Sequence, residues 1–184
     1  MQEALDKYER ILEQGLLKVC AGSGLGGRDW SRRPEVLESP DFDAVWDAYI
    51  KEYIADAVEN FNEYPQVAIA WAGFLGMGVA HNWDAGWEAH SGAPYSSYYG
   101  PKGFDDLDEN VLYNVLRLDA DTARKYTELM LSLSEASLGL ISHENIETAT
   151  AFGFHVLART YTVLFRLGCT MELERLGYKK SLLR

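Results

Sequence analysis

Three residues with the right types and spacing for acid–base or metal chemistry stand together in the middle of the chain. His81, Asp84 and Glu88 are spaced i, i+3 and i+7, so on an unbroken helix they share one face. A histidine beside carboxylates is a general acid–base pair or a set of metal ligands. They emerge from the end of a long uncharged run, where burial most readily perturbs a pKa. Trp87, His90, Tyr95, Tyr98 and Tyr99 follow directly. His155 and Arg159 lie on a second apolar element. These ten residues form the candidate ligand-binding set. Helical metal sites usually present Glu-x-x-His on two helices. This chain has His81-x-x-Asp84 once and His143-x-x-x-Glu147 once. The sequence therefore predicts no cofactor, with His81, Asp84 and Glu88 the residues any metal would use.

Other chemistries have less to stand on. Cys20 and Cys169 are the two cysteines, too few for a disulfide framework or a multi-cysteine zinc site. Both fall on apolar helical faces, where a free cysteine is ordinarily core. No G-x-S-x-G nucleophile elbow is present. Gly22, Gly24 and Gly27 spell G-x-G-x-x-G, but a dinucleotide fingerprint needs a strand before it and a helix directly after it. Here a helix precedes and Pro34 follows, which predicts a flexible loop. Arg28, Arg32 and Arg33 in that loop are expected to pair with surface carboxylates.

The elements that must position these residues are helical. From Pro65 to Trp83 the only ionisable acid or base is His81. About 18 residues is too long for an ordinary strand. Its most apolar part, Val67 to Ala80, is shorter than the roughly 20 residues a bilayer needs. The run is therefore read as the central helix of a bundle. Ala68, Ala72, Gly76 and Ala80 form a row of small residues, which predicts close approach of another helix. That approach must offset the cost of Gly73, Gly76 and Gly78, about 1 kcal/mol each relative to alanine.

A second nearly all-apolar helix is predicted over Glu144–Leu167, capped by Ser142. His155, Arg159, Thr162 and Arg166 share one of its faces, with Asp84 and Glu88 as the natural partners for Arg159 if that face is buried. The alternative is that this stripe faces solvent. Helical periodicity also marks Glu3 to Cys20. Ser39, Pro40, Asp41 and Asp43 open another helix, which runs to Phe61 with Trp46, Tyr49 and Tyr53 on its core face. Asp106-x-x-Glu109 resembles a capping box for a short helix through Leu107, Val111, Val115 and Leu118. Asp119 or Asp121 opens the next. Met171 to Arg184 reads as a last short basic helix. The expectation is an all-α chain, 1–184 forming a single-domain bundle of six or seven helices around two apolar central ones.

Between these helices lies Gly86–Phe104, an irregular segment rich in Tyr, Ser and Gly. Long loops of this composition are either packing devices or binding loops. The formal net charge of −11 argues against nucleic acid and favours a basic partner. The amphipathic N-terminus does not resemble a signal peptide, which predicts a cytoplasmic protein. The functional expectation is a non-catalytic binding or regulatory protein that uses the Gly86–Phe104 loop. It would contact a protein or small molecule and no membrane, and a homo-oligomer is compatible with the sequence. The alternative is a hydrolase or other enzyme with its His/carboxylate site at the end of the central helix.

Overall fold

The computed structural model describes residues 1–183, and no strand occurs among them. The helices are α1 (Gln2–Gly22), α2 (Arg28–Arg32), α3 (Pro40–Phe61), α4 (Pro65–His90), α5 (Leu107–Glu109), α6 (Ala120–His143) and α7 (Ala151–Arg175). Their starts follow local chemistry. Ser39 Oγ accepts the Asp41 amide and Pro40 occupies the first turn of α3. Asp119 accepts both the amide and the hydroxyl of Thr122 at α6.

Elsewhere the boundaries correct the sequence reading. α6 runs through Ser142 to His143, and Asn145, at φ 53°, breaks the chain. Thr150, whose hydroxyl accepts the Gly153 amide, opens α7 in place of Ser142. The Asp106 carboxylate accepts the Lys102 amide at 3.0 Å, so Asp106 and Glu109 form no capping box. After one turn of α5 the chain is π-helical over Asn110–Val115. No separate helix begins at Met171: α7 continues to Arg175 and ends in a Schellman turn, Tyr178 N to Leu173 O and Gly177 N to Glu174 O. A 3-10 turn follows at Lys180–Leu182, and Arg184 lies outside the described residues.

α4 and α7 form the centre. Every residue from Ala68 to Ala80 is buried, as are Leu167 to Leu173. A Cβ added at Gly76 would overlap the Phe165 carbonyl oxygen and come 2.9 Å from the Cys169 amide nitrogen. One added at Gly168 would overlap the Gly73 carbonyl. The small residues therefore bring two backbones into direct contact, as the small row predicted. Partners advance together, Gly76 beside Phe165 and Cys169 and His81 against Glu172, so α4 and α7 run parallel.

The other long helices dress this pair. Tyr53 donates to the Ala68 carbonyl at 2.6 Å and Trp83 donates to Asp41 at 2.8 Å, which sets α3 antiparallel to α4. Ser134 donates to the Gln66 carbonyl and Met130 sits beside Gly73, so α6 is antiparallel too. Tyr8 of α1 pairs with Thr160 of α7. Trp46, Tyr49 and Tyr53 fill the core, with Trp46 stacked on Phe165 at 4.6 Å and Tyr53 edge-on to Tyr161. No helix is long and apolar enough to cross a membrane among the described residues.

These glycines differ in a way that denaturation can measure. Gly168→Ala and Gly76→Ala should each destabilise by about 2–4 kcal/mol, because backbone cannot yield to the new methyl. Gly15→Ala and Gly139→Ala, in helix positions with nothing within 4 Å, should stabilise by up to about 1 kcal/mol. Equal responses from the two pairs would show that α4 and α7 are not in backbone contact.

Candidate functional site

Gly86 decides the geometry at the end of α4. Its backbone lies at φ 156°, ψ 90°, non-helical values inside an otherwise continuous helix, in a region open to glycine. The turn after it is rotated, which takes Glu88 off the regular register with His81, while His81 and Asp84 both precede the kink. His81 Nδ1 meets the Glu172 carboxylate at 2.8 Å. Glu172 is fully buried and also receives a two-pronged pair from Arg175, Nε and a terminal nitrogen each at 2.8 Å. A carboxylate held this way only accepts, so Nδ1 is the donating nitrogen of His81. Arg175 is pushed up from its usual value by that bond to Glu172. Burial, then the Glu172 charge, push the nearby Tyr126 up to about 12.

Asp84 turns elsewhere and accepts the Tyr178 hydroxyl at 2.5 Å. Glu88 is exposed beyond the kink, while Trp87 and His90 are half-buried. His155 is exposed near the start of α7. At 1.5 Å per residue it stands about 25 Å along that helix from Glu172, so it does not join His81. Arg159 pairs with Glu9 and Asp6 of α1, not with Asp84 or Glu88. Arg166 pairs with Glu9 and Asp43, and Thr162 accepts the Trp46 indole. From Arg159 to Arg166 the polar stripe of α7 is therefore the partly exposed seam with α1 and α3, and only its His155 end is open to solvent. No group of three His, Cys, Asp or Glu side chains able to hold a metal occurs among the described residues. Burial pushes the Cys20 thiol up to about 12 and Cys169 well above its ordinary value, which keeps both unreactive.

The aromatic loop is tied down from beneath. The Tyr95 and Tyr99 hydroxyls both donate to one oxygen of Asp56 on α3, Tyr95 at 2.8 Å. Tyr49 donates to the Ala93 carbonyl. Tyr98 accepts from Asn82, and its ring lies on Gly78. Tyr95 and Tyr98 are buried and Tyr99 is half-buried. This loop leaves a groove against α3 of ≈ 490 Å³. Ala44, Ala48, Tyr49, Trp87 and Pro94 form its walls, with Asp41 and Glu52 among its lining.

Two features escaped the sequence. Glu172 sits in an unbroken apolar stretch of α7, and a lone buried acid has no periodic signature. Its partner Arg175 at i+3 was the available signal. The second is Asp108, whose carboxyl burial pushes up to about 6. Comparison with family models, with curated proteins and with solved structures finds no match for this chain.

The two acids give opposite predictions. Glu172→Leu leaves Arg175 and His81 without their acceptor and should cost roughly 3–5 kcal/mol in urea unfolding. Asp108 has a raised folded pKa, so its contribution is most favourable below its unfolded pKa near 4 and is lost as pH rises through about 6. Asp108→Asn should therefore gain roughly 1 kcal/mol at pH 7 and nothing at pH 4, less than the full shift because the carboxyl keeps some water. A pH-independent difference between wild type and Asp108→Asn would refute the assignment.

Proposed function

We propose that this protein is a non-catalytic binding protein whose docking face is the groove between α3 and the Ser91–Tyr95 side of the aromatic loop. The observation that carries the reading is that groove: apolar walls with acidic groups at its edge, held on a loop anchored from below by Asp56. A rigid loop loses little conformational freedom on binding, which favours affinity. The occupant is an extended basic peptide segment of a partner protein. Its apolar side chain would rest between Ala48, Tyr49 and Trp87, and its Lys or Arg residues would meet Asp41 and Glu52. The net charge of −11 favours encounter with such a partner.

A second reading keeps one specific observation. His81 is oriented by a buried carboxylate, and its side chain is 25% exposed. This arrangement would suit a general base. No hydroxyl or thiol is hydrogen-bonded to His81 among the described residues, so a substrate would have to bring the proton it removes.

Selection from a displayed random-peptide library tests the first reading. Enriched peptides should carry Lys or Arg flanking one apolar residue. They should bind wild type at least about tenfold more tightly than Ala48→Arg or Glu52→Lys, both changes at exposed positions. Peptides that bind all three proteins equally, or that show no basic bias, would remove the groove from consideration.

A further inference from the structure

A second cleft, of ≈ 700 Å³, lies between the Gly27–Leu37 stretch and the Gly177–Ser181 tail. Its volume falls in the range of roughly 300–1,000 Å³ usual for small-molecule sites. Five of the chain's 17 basic residues line it: Arg28, Arg32, Arg33, Lys179 and Lys180. Three acids share the lining, and they are largely accounted for. Lys179 lies 3.5 Å from Asp29 and Lys180 lies 3.4 Å from Glu35. Glu174 is pushed up by burial first and then by Asp29 and Glu35.

The three arginines remain. Arg28, Arg32 and Arg33 are exposed, and none forms an ion pair among the described residues, contrary to the expectation that they pair with surface carboxylates. In a chain with 28 acidic residues, three uncommitted arginines in one concavity are a local reversal of sign. A second, independent observation comes from Trp30. It lines the same cleft at 3% exposure, and its indole Nε1 is buried with no acceptor among the described residues. Gly26 presses on the other side of the ring: a Cβ there would overlap Trp30 Cε3. A buried donor without an acceptor costs free energy that a ligand oxygen would recover.

We propose that this cleft is an oxyanion site that takes the phosphate group of a small molecule. The guanidinium fork matches a tetrahedral oxyanion in charge and in paired donors, and several arginines from one loop can share its oxygens. Lys179 and Lys180 hold the acids aside. The Trp30 side chain forms part of the same lining. The site is separate from the groove on α3, and the two share no lining residue.

Titration with inorganic phosphate, phenyl phosphate and a nucleoside diphosphate, each against sodium chloride at equal ionic strength, tests this. The proposal expects a saturable rise in Tm with the phosphates and none with chloride. Arg32→Gln/Arg33→Gln, folded by circular dichroism, should raise Kd by at least about tenfold. In ¹H–¹⁵N spectra the Trp30 indole resonance, identified by its loss in Trp30→Phe, should move with phosphate in wild type. Tighter binding of the esters than of inorganic phosphate identifies an organic phosphate as the ligand, and equal binding identifies the free anion. A response that chloride reproduces, or one that the double variant retains in full, would overturn the proposal.

Discussion

Contact between the backbones of α4 and α7 is the constraint on which the other helices depend. Gly76 and Gly168 remove the side chains that would hold the two axes apart, and Gly73 makes room for Met130 of α6. The glycines lower helix propensity, and the close dispersion contacts they admit offset that cost. Both helices then bury nearly their whole circumference, so each needs neighbours on every side. α3, α6 and α1 supply them, and their aromatic and aliphatic faces are shaped to that need. Tyr53, fully buried, reaches Ala68 with its hydroxyl while its ring meets Tyr161 and Phe104.

The polar groups that survive inside this core are few, and among the described residues all but Trp30 Nε1 and the Tyr161 hydroxyl are paired. Glu172 is the clearest case: a full carboxylate in the interior, bound to Arg175 and His81. Isolated, it would be prohibitively costly; paired, it fixes how the end of α4 sits against α7. Asp56 plays the corresponding part at the edge, where one carboxylate oxygen gathers two tyrosines and thereby sets the path of the whole Pro94–Tyr99 turn.

Much of the fold was legible because it rests on composition and periodicity. The uncharged Pro65–Trp83 run, the small row within it and the Ser39–Pro40 start are signals that a single sequence carries. The ends of α6 and α7 were less so, since Ser142 and Thr150 offer the same hydroxyl, and only Asn145 between them decides which one caps. At the candidate site, local spacing misled. His81, Asp84 and Glu88 would share a face on a regular helix, but the single residue Gly86 takes Glu88 out of that register. The true partner of His81 is far away in sequence, and no local pattern points to it. Arg159 illustrates the same limit: Asp84 and Glu88 were plausible acids, but Glu9 of α1 is the one that packs beside it.

The parallel central pair also has a consequence for the order in which the chain becomes safe to leave unaccompanied. His81 and Glu172 are 91 residues apart, and the rest of the α4–α7 seam is similarly non-local. α4 therefore leaves the ribosome well before the helix that covers it exists. α3 can shield one side at once, through the tight Asn62–Tyr64 connection, but the Gly/Ala face stays bare until α7 is made. Non-local closure of this kind slows folding and prolongs exposure of sticky surface. A nascent chain stalled before Ala151 would present a smooth apolar face with nothing to occupy it, a natural substrate for chaperones. For this protein, quality control turns on how soon the 25 residues of Ala151–Arg175 follow, which synthesis at roughly 5–20 residues per second adds in about one to five seconds.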